Sequence, residues 1–239
     1  MLKVNPVPDY PVEEGHYLRG NDFSPVAVVV ILTYDYDKIP KDIEHLVRLG
    51  AESGAALSGT LQTENIGLEK LVCNIIANPN IRYIVLCGPE SRGHLTGDAL
   101  MCLVRNGIDD RKRIIGTDAP TPYLFNLPKE YIERFRKQIA AVVNLLHASP
   151  ESVSEAIRAC YQENSTQFQS YHLYDRGAYP EPPISGKLTW RVTHPEREPK
   201  DEEERKQVEK FKTRIEWMRK KIEEKRQKRN GECGKENQL

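Results

Sequence analysis

The sequence predicts an α/β protein with a mostly parallel sheet, helices on both of its faces and a C-terminal charged helix. Three observations predict it. The runs "VAVVVILT" (26–33) and "IRYIVLCG" (81–88) are continuously apolar, as strands buried on both faces are. Stretches of helical period stand between and after them, so strands and helices alternate from residue 26 to residue 147, the order of parallel strands joined by crossover helices. Beyond residue 150 the texture changes, and residues 200–229 are dense in charge.

In chain order, residues 1–23 are rich in Pro, Gly and Tyr and read as an irregular arm. After the strand at 26–33, "PKDIEHLVRLGAESG" reads as a helix, with Pro40 near its start and Gly50 or Gly54 at its end. "AALSGTLQ" is a short strand. "IGLEKLVCNIIANPN" spaces Leu68, Leu71, Val72 and Ile75 at the helical period and stops at Asn78-Pro79. The strand at 81–88 leads to a helix, "LTGDALMCLVRNG", that ends at Asn106-Gly107. "RIIG" reads as a short strand, and "PKEYIERFRKQIAAVVNLLH" (128–147) as one long amphipathic helix. "PESVSEAIRACYQ" adds a helix, and "KLTWRVT" is one strand in a turn-rich extension.

Residues 200–229 place acids at the start and bases at the end, which suits a helix dipole. Val208, Phe211, Ile215, Met218 and Ile222 are spaced 3, 4, 3, 4, an a/d seam for docking on the body, on a partner or on another copy. The expected organisation is a domain at 1–160, an extension at 161–199, the helix at 200–229 and a disordered tail at 230–239.

Composition narrows the function. Basic and acidic residues balance at 35 each, so the whole molecule has no field to attract nucleic acid. The five cysteines are odd in number and form no C-x-x-C pair, which favours a reducing compartment over a disulfide framework or a Cys-based zinc site. No secretory signal order opens the chain, and no apolar run approaches the ~20 residues of a membrane span. A soluble, cytoplasmic protein is expected.

In parallel sheets ligands collect beyond the carboxyl ends of the strands. Thr33, Gly59–Asn65, Gly88–His94 and Gly116–Pro122 are read as post-strand loops that converge there. Thr63, Glu64 and Asn65 precede a helix, with Thr63 as its N-cap, and either bind an anion or amide there or are simply a solvated cap. In "GPESRGHLTG" neither a phosphate loop nor a dinucleotide fingerprint is present, and Glu90 and Arg92 read as solvated. Its glycines, Gly88 and Gly93, let backbone turn tightly or approach a flat ligand. His94 is a satisfied loop residue, a general base or a metal ligand. The other histidines are scattered, so a metal on His94 takes its remaining ligands from a cofactor. Gly116, Pro120 and Pro122 make a rigid wall.

Taken together, "SPVAVVVILT", "QTENIGLEKLVCNIIANPNIRYIVLCG", "RGHLTG" and "KRIIG" resemble, in order and spacing, the corrinoid-carrying A-subunit family of tetrahydromethanopterin S-methyltransferase over residues 15–145. The resemblance implies a Rossmann-like domain holding a cobamide, cobalamin or a relative, with His94 as lower axial ligand to cobalt. Thr63, Glu64, Asn65 and Gly67 of one motif and Gly93, Thr96 and Gly97 of the other would line the corrinoid. Gly88, Gly116 and Pro120 would complete that site. It also implies a methyl carrier, which a partner methyltransferase loads from methyl-tetrahydromethanopterin and which unloads toward coenzyme M. Two departures stand out. Family members in a membrane complex end in a transmembrane helix, where this sequence has the Trp190 segment and the charged helix; and "TDAPTP" replaces small residues in the wall. The rival reading is a binding module for a pterin or nucleotide without corrinoid chemistry.

Overall fold

The computed structural model describes residues 2–33 and 39–188, and, further on, 202–203, 205–207, 209–210, 213–214, 217 and 220–221. They belong to two compact units, 1–193 and 194–239. The first unit holds strands β1 (Tyr17–Arg19), β2 (Val26–Ile31), β3 (Leu57–Leu61), β4 (Tyr83–Gly88) and β5 (Ala141–Leu146) in one sheet of order β1-β3-β2-β4-β5. Only β1 is antiparallel to its neighbour. The helices are α1 (Lys41–Glu52), α2 (Ile66–Ile76), α3 (Thr96–Asn106), α4 (Lys129–Gln138) and α5 (Pro150–Ala159).

Both faces of the sheet are covered, which is why β2 and β4 are apolar at every position. Val26, Val28 and Val30 face Ile43 and Val47 of α1 and Val153 and Ile157 of α5. Ala27, Val29 and Ile31 face Leu68, Val72 and Ile75 of α2, Leu100 of α3 and Phe135 of α4. The chain leaves β2 toward β3 on one side and leaves β4 toward β5 on the other. Connections that part in this way open a crevice above the carboxyl ends of the strands.

Several elements differ from the sequence reading. Residues 128–147 are not one helix: α4 stops at Gln138, and "AVVNLL" is β5, paired in parallel with β4 from Tyr83↔Ala141 to Gly88↔Leu146. The Gln138 amide fixes the break, donating to the carbonyls of Ile75, Asn78 and Ile81 from a fully buried position. "RIIG" forms no strand; only isolated bridges, Ile108↔Ile114 and Arg113↔Tyr123, pin the long connection from α3 to α4. Gly116–Pro122 is therefore part of that connection rather than a post-strand loop.

The arm packs on the body. It buries Val7, Tyr10 and Val12, supplies the edge strand β1, and is clasped by Asn74, which exchanges hydrogen bonds with the Glu13 backbone at 2.8 and 3.1 Å. Past α5, β6 (Thr166–Phe168) and β7 (Tyr171–Leu173) form a hairpin. The guanidinium groups of Arg82 and Arg134 then both stack over the Tyr179 ring, 5.4 and 4.5 Å from its centre. Lys187 and Leu188 are not in a strand, and the rest of "KLTWRVT" lies outside the described residues.

In the second unit the described residues are helical and exposed; Val208, Phe211, Ile215, Met218 and Ile222, and the tail at 230–239, lie outside them. Among the described residues no helix is long and apolar enough to cross a membrane.

Candidate functional site

Three segments meet at the carboxyl end of the sheet. Residues 62–65 follow β3, residues 89–95 follow β4, and 116–122 arrive from the long connection. The His94 imidazole joins the first two: its Nδ1 lies 2.9 Å from Glu64 Oε2, with the His side chain 52% exposed and Glu64 fully buried. The third is tied to the same carboxylate. Glu64 Oε1 accepts from the Thr121 hydroxyl at 2.6 Å and from the Thr121 N–H at 3.0 Å. Asn65 Nδ2 donates to Thr121 Oγ1, and Thr96 Oγ1 donates to the Gln62 carbonyl.

Burial pushes the Glu64 carboxyl up. Hydrogen bonds from Thr121 and from backbone N–H groups, with the charge His94 carries when protonated, outweigh that, so the carboxyl sits below its ordinary range. An ionised Glu64 accepts only. It holds the proton of a neutral imidazole on Nδ1 and leaves the Nε2 lone pair free on an exposed ring. That is the arrangement of an oriented ligand or base, not of a histidine whose two nitrogens are both spoken for within the protein.

The local sequence explains how the loops hold this geometry. Asn65 caps α2 by accepting from the Ile66 N–H, and Thr63 Oγ1 accepts from the Gly67 N–H at 2.9 Å. Gly88 takes φ +83, where an added Cβ would press on the Ile31 backbone at 3.2 Å. Leu95 takes φ 47 to turn the chain from His94 into α3. Around Gly93 the space is open: a Cβ there meets nothing within 4 Å.

Glu90 is not solvated as its sequence context implied. Its carboxylate accepts from the N–H groups of Ser91, Gly97 and Asp98, so it closes the N-terminus of α3 with an internal anion. Gly97 is small for that reason, since a Cβ would lie 2.6 Å from Glu90 Oε2. Arg92 is exposed, as expected.

The structure thus brings Glu64, Asn65 and His94 into one network through Thr121, while Thr96 bonds the Gln62 carbonyl of the loop that carries Glu64. Thr63 and Gly67 instead line a cavity of about 230 Å³, walled by Gly15, His16 and Tyr17 of the arm and by Gln62, Ile66 and Lys70. Gly116, at φ +85, and Pro120 are exposed on the Thr121 segment. Thr121 itself escaped the sequence reading. It is a hydroxyl between two prolines, and no spacing links it to a carboxylate 57 positions away.

The sequence profile of the tetrahydromethanopterin S-methyltransferase A-subunit, MtrA, matches residues 3–174, most of the chain. The chain belongs to that family. One relative is the second tetrahydromethanopterin S-methyltransferase A-subunit of Methanothermobacter thermautotrophicus, 40% identical over 186 residues, 77% of this chain and 90% of that protein. The A-subunit of Methanosphaera stadtmanae is 41% identical over 159 residues, 66% of this chain and 59% of its own length. That of Methanocaldococcus jannaschii is 39% identical over 163 residues, 68% and 64% respectively. The chain therefore spans nearly all of one MtrA relative and about three fifths of others. The MtrA profile includes His94, Glu64 and Thr121 and ends before the charged helix.

Proposed function

We propose that this protein is a corrinoid-binding methyl carrier of a methyltransferase system, with His94 as the lower axial ligand of cobalt. The observation that carries the reading is the His94–Glu64 pair at 2.9 Å, an exposed imidazole oriented through Nδ1 by a buried carboxylate. The residues present fit such a group. Among the described residues no three His, Cys, Asp or Glu side chains are grouped as a metal cage. A metal held here must bring its own equatorial ligands, and a corrin ring brings four nitrogens. The open space at Gly93 gives a flat macrocycle room beside His94. A Rossmann-like reading of the sheet, which rests on the parallel order β3-β2-β4-β5, puts the site over the crevice.

When bound, the corrinoid supplies a cobalt centre that takes up and gives back a methyl group. The chain's own work is to present Nε2, to fix its tautomer and to hold the Thr121 segment on the same carboxylate. Because Glu64 joins His94 to Thr121, movement of the imidazole is felt by the 116–122 segment, a surface that a partner delivering the methyl group can read. Members of the family are named for tetrahydromethanopterin, and we infer methyl-tetrahydromethanopterin as donor, through a separate methyltransferase protein, and coenzyme M as acceptor.

A titration with hydroxocobalamin tests the reading. The wild-type protein should bind it and shift its spectrum to that of an imidazole-ligated Co(III). His94→Ala should lose that signature while keeping its circular dichroism. Identical spectra for the two proteins sink the assignment. The second reading, a pterin or nucleotide module, is favoured by one observation, the cavity beside Thr63 that His94 does not line. It predicts calorimetric binding of a pterin or nucleotide that survives His94→Ala and does not compete with cobalamin.

A further inference from the structure

The Thr121 segment has a second carboxylate anchor, on the helix that follows His94. Asp98 lies in the first turn of α3, four residues after His94. Its Oδ2 accepts from the Thr117 hydroxyl at 2.5 Å, and Thr117 is 4% exposed. That hydroxyl in turn accepts from the Ala119 N–H at 3.2 Å. The Asp98 N–H donates to Glu90 Oε2 at 2.9 Å, so its backbone is fixed from the loop that carries His94. One turn further along α3, the Cys102 thiol donates to the Gly116 carbonyl at 3.3 Å. None of these bonds belongs to the chain His94–Glu64–Thr121. Thr117 also opens "TDAPTP", the stretch in which the sequence departs from the small residues of its family.

Residues 117–121 are thus held at both ends by carboxylates. Glu64, at one end, is hydrogen-bonded to His94; Asp98, at the other, is joined to His94 by four residues of chain. Between the two threonines lie only Asp118, Ala119 and Pro120. The proline fixes its own φ and restricts Ala119 before it, so the bridge is short and stiff. A stiff bridge passes a displacement of one end to the other. A hydroxyl on an ionised acceptor is a stronger anchor than a neutral pair. We propose that Asp98 is a positioning residue of the His94 site. Acting through the Thr117 hydroxyl, it sets where the bridge delivers Thr121 to Glu64, and with that the wall beside a bound macrocycle. The wall rests on the methyl-carrier reading; the placing of Thr121 does not.

Thr117→Val, Asp98→Ala, their double variant and Thr117→Ser are compared with wild type as full-length proteins, with circular dichroism as the check on folding. The reporter is the Thr121 N–H, which bonds Glu64 rather than Asp98 or Thr117. Its hydrogen exchange in the ligand-free protein should quicken about tenfold in each single variant and no further in the double. Thr117→Ser should restore the wild-type rate. A purely local role would quicken only Ala119, whose N–H loses its acceptor. With hydroxocobalamin, Thr117→Val should bind about tenfold more weakly yet reach the same imidazole-ligated spectrum at saturation, since Glu64 still orients His94. Wild-type exchange at Thr121 in Thr117→Val overturns the proposal. So do additive effects in the double variant, or wild-type affinity of Thr117→Val for hydroxocobalamin. If the wild-type protein itself does not bind hydroxocobalamin, the corrinoid reading falls, and the Thr121 exchange still decides the role of Asp98.

Discussion

Glu64→Gln is the sharpest perturbation of the site, because it keeps the shape and removes the charge. The carboxylate accepts three hydrogen bonds, at 2.9 Å from His94 and at 2.6 and 3.0 Å from Thr121. A glutamine can keep its oxygen on the two Thr121 donors. Its NH₂ must then face His94 Nδ1, and a donor there forces the ring proton onto Nε2. The opposite flip sets the NH₂ against the Thr121 N–H, two donors face to face. Either way something is lost, and a hydrogen bond to a charged acceptor contributes about 1.5–3 kcal/mol. The ligand-free variant should therefore be destabilised by about that amount in urea unfolding, with an unchanged slope. Its His94 should report the other tautomer in ¹⁵N chemical shifts. With hydroxocobalamin the imidazole signature should weaken by ~10–100-fold in apparent affinity, as for other partners that orient a metal-binding histidine. Wild-type stability together with the wild-type tautomer would refute the claim that Glu64 orients His94.

Further outcomes follow from the same geometry. Gly97→Ala should cost about 1–2 kcal/mol, because its Cβ displaces the Glu90 carboxylate from the N-terminus of α3, whereas Gly93→Ala should fall within ~0.5 kcal/mol of wild type in the same urea titration. The Glu64 carboxyl is lowered from its ordinary 4.5, so the stability it contributes is present above that pH and lost as pH falls through the lowered value. Thermal melts of Glu64→Gln against wild type should thus converge on acidification below 4.5. Burial pushes the Cys87 and Cys160 thiols from 9.0 up to about 12, so their contribution is complete below pH 9.0 and lost as pH rises from there toward 12. At neutral pH both should resist Ellman's reagent in the native protein and react at once in urea.

The sequence shows plainly those elements whose physics is local. The strands β2 and β4 are legible because a strand covered on both faces has no polar position to spare. The α4–β5 break was hidden because Ile132, Phe135, Ile139, Val143 and Leu146 fall 3, 4, 4 and 3 apart, a helical spacing that runs across the boundary. What ends the helix is the Gln138 side chain reaching carbonyls 57–63 positions away, and no window of sequence contains both ends of that interaction. The "RIIG" segment has strand residues, but its pairing is local, isolated bridges to Ile108 and Tyr123 within the connection from α3 to α4.

The same division runs through the site. His94 and Glu64 were both legible as residues at the carboxyl rim, since each lies just past a strand that the sequence shows. Their contact is a matter of strand order. β2 lies between β3 and β4 in the sheet, so the two loops start from strands that are not neighbours, and nothing in the sequence order of the strands announces that they meet. Thr121 was beyond reach, since its segment is placed by carboxylates at and just before α2 rather than by a strand. Glu64 holds Thr121, and Glu69, 1% exposed, accepts from the Asn126 N–H and side-chain amide at 2.7 Å each. Two buried acids, five residues apart in the chain, thus secure one long connection at two points. Of the two, only Glu64 also touches His94. A change in the imidazole can therefore loosen the Thr121 end while the Asn126 end stays fixed, which couples residues 117–125 to the state of His94 through Glu64.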